Sequence, residues 1–136
     1  MKREVFLDSA FAIALSIETD AFHEKAIQLS QSLDNTVLVT TRAILLEIGN
    51  ALSKRSFRKA SIELLQALEN DESIVIVPLS EELFQKGLLL FIKRADKDWG
   101  LIDCISFVVM QEHEITEALT TDNHFQQAGY QVLMRE

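Results

Sequence analysis

Apolar and polar positions divide the chain into short apolar runs and longer segments whose apolar residues recur at helical spacing. Residues 4–7 (EVFL) predict a strand ending at Asp8. Residues 9–17 follow as a helix, with Phe11, Ala12, Ile13 and Leu15 apolar. A second helix over about 21–32 starts behind a cap at Asp20, and its apolar stripe runs through Phe22, Ala26 and Ile27 to Leu33. Asp34 and Asn35 predict a turn, and TVLVT at 36–40 a second strand. Thr40 or Thr41 caps a third helix that the pattern carries to about Lys54. Residues 61–69 read as an amphipathic helix, and SIVIV at 73–77 as a strand stopped by Pro78. Ser80 then caps a helix running to about Lys93, with Glu81 and Glu82 suited to its positive end. A polar connection at 95–100 leads into a helix at 101–110. The strands at 117–121 (EALTT) and 130–134 (YQVLM) flank a helical turn at 125–128.

Strands separated by helices predict a single three-layer α/β domain spanning residues 1–136, with a central, mostly parallel five-stranded sheet. The strands are apolar runs rather than alternating ones, as a sheet covered by helices on both faces requires. Sites in such sheets lie outside the carboxyl ends of the strands, where the strand order reverses. Asp8 and Asp122 stand at the ends of the first and fourth predicted strands.

Two further acids break the apolar pattern. The helix at 101–110 is apolar on nearly every side, the mark of a buried helix, yet contains Asp103. The helix after Thr41 is apolar nearly all round and contains Glu47. A carboxylate in such a position must be paired, hydrogen-bonded or bound to a metal. For Asp103 there is a plainer role, since Asp is favoured at helix starts. Ser106 and Asn50 share the faces of Asp103 and Glu47, each three residues on. If the first and fourth strands are neighbours, Asp8, Glu47, Asp103 and Asp122 converge. Such a cluster would repel itself without cations, and hard oxygen ligands open to water suit Mg²⁺ or Mn²⁺.

Composition narrows the field. The formal charge of −8 disfavours general phosphate attraction as the basis of nucleic-acid binding. It does not exclude a nucleic-acid enzyme whose acidic pocket is made positive by cations. A lone cysteine, Cys104, excludes an intramolecular disulfide framework, and within an apolar helix it reads as a small core residue. No apolar run approaches the roughly 20 residues of a membrane span, and MKREVFLD does not read as a signal peptide. A cytoplasmic protein without membrane association is the default expectation.

The order FLDSA, TRAILLEIGNAL, DKDWGLIDCISFVVM, ALTTDNHF resembles the PIN-domain family, of the kind found as VapC-type toxins and their relatives. The resemblance covers nearly the whole chain. It implies strand order 3-2-1-4-5, and catalytic, metal-holding acids at Asp8, Glu47, Asp103 and Asp122. It implies divalent-metal-dependent cleavage of RNA, a cognate antitoxin partner and a homodimer. Ser9 and Thr121 are the supporting hydroxyls in this pattern. Gly100 stands where a Ser or Thr often caps the buried helix, which leaves Asp98 as a substitute cap. A housekeeping RNase or a non-catalytic assembly module of the same fold are the alternatives. A receiver-like signalling domain fits less well: the first strand ends in a single acid and no Lys stands at the late strand end.

Two basic clusters, Lys54, Arg55, Arg58 and Lys59, then Lys93, Arg94 and Lys97, adjoin the acid-bearing helices and are possible RNA contacts. His124, two residues after Asp122, reads as a surface loop residue or one at the rim of the site. Trp99 reads as a packing residue. Leu45, Leu52 and Phe57 are expected to remain exposed and mark a protein interface.

Overall fold

A computed structural model describes residues 2–134. Five strands carry the framework: β1 (Arg3–Leu7), β2 (Thr36–Thr41), β3 (Ile74–Val77), β4 (Glu117–Leu119) and β5 (Gln131–Val132). They form one sheet in the order β3-β2-β1-β4-β5, every neighbouring pair parallel. Seven helices connect them: α1 (Ser9–Ser16), α2 (His23–Gln31), α3 (Arg42–Ala51), α4 (Arg55–Asn70), α5 (Glu81–Lys93), α6 (Leu101–Glu112) and α7 (Asn123–Gln127).

The chain steps one way across the sheet from β1 to β3, then crosses back to β4 and continues to β5. Right-handed crossovers therefore put α1–α4 on one face and α5–α7 on the other. The packing agrees: α1 touches α2, α3 and α4, whereas α6 packs on α5 and α7. Val5, Phe6 and Leu7 are buried between the two layers. On the second face Phe107 meets Trp99 and Phe125 edge-on, with ring centroids 5.0 and 4.9 Å apart. Gly87 lets α5 and α6 approach closely, since a Cβ there would lie 2.5 Å from Ile105 Cγ1.

The strand order is the expected one, and the sheet is parallel throughout. Element ends differ. The third helix stops at Ala51, and α4 begins at Arg55, six residues before the expected start. The Arg58 guanidinium donates to the Ser53 carbonyl and closes the bend between the two helices. Phe57, Ser61, Leu64, Leu65 and Leu68 line the inner side of α4, so its basic first turns extend one amphipathic helix.

The expected exposed apolar residues are corrected. Leu45 and Leu52 are buried and Phe57 is partly buried, all packed into the core. The exposed apolar side chains are instead Phe22, Leu46, Ile62, Val75, Leu89, Phe91 and Ile92 among the described residues. The helical phase decides this: α3 turns Ala43, Ile44, Leu45 and Ile48 inward and leaves Leu46 outside.

Candidate metal centre

β1 and β4 lie side by side, and the crossovers leave them in opposite directions, so a crevice opens beyond their carboxyl ends. Asp8 is the first residue past β1 and the N-cap of α1. Its amide donates to the Leu119 carbonyl (3.3 Å), which continues the pairing of the two strands. Its carboxylate accepts from the Thr120 hydroxyl (2.7 Å) and from the Ser9 backbone. Thr120 is fully buried and also accepts from the Asp122 amide (3.0 Å). One hydroxyl thus ties the two strand-end acids into a single unit.

Glu47 comes from α3, whose start is fixed by the Thr41 hydroxyl accepting from the Ile44 amide (3.1 Å). Its Oε1 accepts from the Ser9 hydroxyl (2.5 Å). Asp103 is the third residue of α6 and does two things at once. Its Oδ2 accepts from the Gly100 amide (3.1 Å), the half of a capping box that the third helical residue supplies, while Gly100 offers no side chain for the other half. The same oxygen lies 2.9 Å from His124 Nδ1. Asp122 caps α7, accepting from the His124 amide (2.8 Å), and its Oδ1 is 3.4 Å from His124 Nδ1.

Burial pushes the Asp8 carboxyl up to about 7, against the Thr120 and Ser9 hydrogen bonds, and the charges of Glu47 and Asp103 push it the same way. All four acids therefore bear on one region. None of them pairs with a lysine or arginine among the described residues. Donor atoms of Asp103, Asp122 and His124 all lie within 4.8 Å of one another. Carboxylates and an imidazole, with no lysine or arginine paired to them among the described residues, are a donor set that fits a divalent cation.

The other expected residues divide. Ser9 reaches Glu47 as a supporting hydroxyl. Thr121 does not fill that role: Thr120 faces inward and holds both acids, while the Thr121 hydroxyl bonds to no described residue. The alternation of a strand end turns successive side chains to opposite sides, so only one of two adjacent threonines can point at Asp8. Ser106 is fully buried and donates to the Ile102 carbonyl (3.1 Å), within its own helix. The side chains of Asn50 and Asp98 are exposed and bond to no described residue, so Asp98 does not cap α6, whose N-cap is Gly100. Lys54, Arg55, Arg58 and Lys93 are exposed, and Lys97 is partly so. Arg94 is engaged, paired with Asp96 and 4.9 Å over the Trp99 ring. None of these six cations hydrogen-bonds to the acids. Trp99 packs as expected and donates to Gln127 (3.0 Å).

His124, which reads from the sequence as a surface loop residue or one at the rim of the site, lies in the crevice beside Asp103 and Asp122. Its signal is the spacing of two residues from Asp122, whose carboxylate accepts the His124 amide and so holds the start of α7 beside it. His23, in contrast, bonds the Ala14 carbonyl (2.7 Å). Cys104 is buried, and burial pushes its thiol up, away from nucleophilic use.

The chain is 25% identical over 126 residues to the 23S rRNA-specific endonuclease VapC20 of Mycobacterium tuberculosis, covering 93% of this chain and 95% of that protein. The crystal structure of M. tuberculosis VapC20, a sarcin-ricin loop cleaving toxin, matches with a TM-score of 0.85 at 24% identity, over 93% of this chain and 95% of that one. VapBC2 from Rickettsia felis, solved with a promoter DNA fragment, matches with a TM-score of 0.66 at 12% identity, over 95% of this chain and 96% of that one. FitAcB from Neisseria gonorrhoeae gives a TM-score of 0.66 at 18% identity, over 94% and 95%. These likenesses show a shared fold. The PIN domain family model matches residues 5–129, a span that contains both strand-end acids and both helix acids, and the chain belongs to the PIN-domain family.

Proposed function

We propose that the chain is a divalent-metal-dependent endoribonuclease, the toxin of a toxin–antitoxin pair. The observation that carries this reading is the gathering of Asp8, Glu47, Asp103 and Asp122 about the β1–β4 crevice with no lysine or arginine paired to them among the described residues. Asp103, Asp122 and His124 offer the closest donors, with Asp8 and Glu47 beside them. Mg²⁺ or Mn²⁺ held there would supply an activated water and offset the charge of a phosphodiester in displacement. The protein's own share is orientation. Thr120 fixes the distance between the strand-end acids, Ser9 holds Glu47, and the Gly100 amide holds Asp103. Lys54, Arg55, Arg58, Lys93 and Lys97 remain proposed RNA contacts, and Arg94 would first have to leave Asp96.

The likeness to VapC20, a 23S rRNA-specific endonuclease, supports RNA as the substrate. Purified protein freed of any partner should cut RNA with Mg²⁺ or Mn²⁺ and stop when chelator is added. Cleavage undiminished in excess chelator would remove the metal mechanism.

The docking place proposed for an antitoxin is an apolar cleft. Between α1–α2 and α4 a cleft of about 560 Å³ opens over β2, lined by Phe11, Leu15, Leu33, Leu38, Leu64 and Leu68. Glu63 and Asp71 stand on its border. Apolar walls with acidic edges suit an amphipathic helix with basic flanks. An antitoxin could also direct an Arg at the acids, where a planar guanidinium meets two oxygens at once. Co-expression with the adjacent reading frame should give a co-purifying partner and relieve growth arrest. Harmless expression of the chain alone would move the reading to a housekeeping RNase of this fold. Homodimerisation, with exposed Leu46, Ile62, Leu89 and Ile92 as its apolar candidates, is checked by size-exclusion chromatography with light scattering.

A further inference from the structure

We propose that His124 is a direct ligand of the divalent ion through Nδ1, and that this nitrogen makes the centre prefer Mn²⁺ to Mg²⁺. The inference rests on the metal-dependent reading above. It departs from the expectation of an all-carboxylate centre.

Three observations carry it. His124 Nδ1 is 2.9 Å from Asp103 Oδ2 and 3.4 Å from Asp122 Oδ1. The 2.9 Å contact is a hydrogen bond in the metal-free protein, and an ion bound here would take the place of its proton; six-coordinate ions with bonds of about 2.1 Å set neighbouring ligand atoms about 3 Å apart, so the spacing also fits a ligand set. Both carboxylates are held by backbone amides, Asp103 by Gly100 and Asp122 by His124 itself. The imidazole is therefore not needed to orient them. Finally, the side chains of Asp103, Asp122 and His124 keep 17%, 34% and 30% of their surface, which leaves room for water and a phosphate oxygen around an ion.

The choice of ion follows from the donors. Mg²⁺ favours oxygen and retains much of its water shell, whereas imidazole nitrogen binds later first-row ions more readily. A site of two carboxylates and one imidazole discriminates towards Mn²⁺ where one of carboxylates alone would do so less. Groups that merely support a ligand already change metal affinity by about 10–100-fold. Loss of a direct ligand should do no less.

The test uses the untagged full chain with Mn²⁺ as probe, and Mg²⁺ as competitor. Pulsed EPR of the Mn²⁺ complex should show nitrogen coupling that changes when histidine is labelled with ¹⁵N. The coupling should vanish in His124→Ala and His124→Gln. In both variants Mn²⁺ affinity should fall by about tenfold or more, and the Mn²⁺:Mg²⁺ preference should shrink. Thermal unfolding without metal checks that the variants fold, and the wild-type spectrum stands whether or not they do. Bound Mn²⁺ without histidine coupling, or variants that keep the wild-type ion preference, would overturn the ligand assignment. If metal-dependent RNA cleavage persists in that case, the nuclease reading survives and only His124 loses its role. No Mn²⁺ binding and no metal-dependent cleavage would overturn both.

Discussion

Burial pushes the Asp8 carboxyl up to about 7, and that shift gives the metal-free protein one pH-dependent contribution to its stability. The unfolded chain loses the carboxyl proton near 3.8. Between these values the folded state binds more protons than the unfolded one, so this group's contribution to stability falls as pH rises and levels off above about 7. Asp8→Asn should remove that loss. Metal-free stability at neutral pH should rise by up to about 4 kcal/mol, with little change near pH 4, while RNA cleavage disappears. Denaturant titrations in chelator at the two pH values check this. Thr120→Val should act the other way. It leaves a buried carboxylate oxygen and the Asp122 amide without their shared partner, at about 1–3 kcal/mol. Thr120→Ser should restore both stability and cleavage. The acids themselves were legible in the sequence, because a carboxylate inside an apolar run contradicts its surroundings. Thr120 and His124 contradict nothing: a threonine ends many strands, and a histidine suits a loop. Only the fold shows which of two adjacent threonines points inward.

At the scale of elements, close packing of α5 on α6 is the most exacting contact. Gly87→Ala would gain about 1 kcal/mol of helix propensity. The new Cβ would meet Ile105 Cγ1 at 2.5 Å and its Cα at 3.3 Å, and Ile105 is buried with no room to turn aside. Overpacking of this kind costs about 1–3 kcal/mol, so a net loss is expected, read as a lower urea midpoint at unchanged slope. Because α6 carries Asp103, metal affinity should weaken alongside stability. Helices with an apolar stripe were legible, α5 and α6 among them. The first turns of α4 were not, because Arg55, Ser56, Arg58 and Lys59 form no stripe of their own. Arg and Lys are good helix formers, and Phe57 joins them to the buried side of the helix that follows. Periodicity also missed the phase of α3, where one step of 100° separates buried Leu45 from exposed Leu46.

For the whole molecule, alternation of strands and helices was enough to give the class and layers, while the order 3-2-1-4-5 came from the family resemblance. That order makes β1 central and joins it to β4 from the far end of the chain. Removing residues after 116 should abolish the crevice and take the cooperative unfolding transition with it, as circular dichroism melts would show. No helix among the described residues is long and apolar enough to cross a membrane. The Thr120–Asp8 hydrogen bond also carries information about time. Its two residues are 112 positions apart, so during translation Asp8 waits for nearly the whole chain before its partner exists. Until then the strand-end acids are apart, and α7 with His124 has not been made. On the nuclease reading proposed above, a nascent chain would lack its metal centre while it sits against the RNA of the ribosome that is making it. The acid cluster therefore assembles only once residue 124 has been made, whereas the apolar cleft between α1–α2 and α4, lined by residues 7–74, can form well before it.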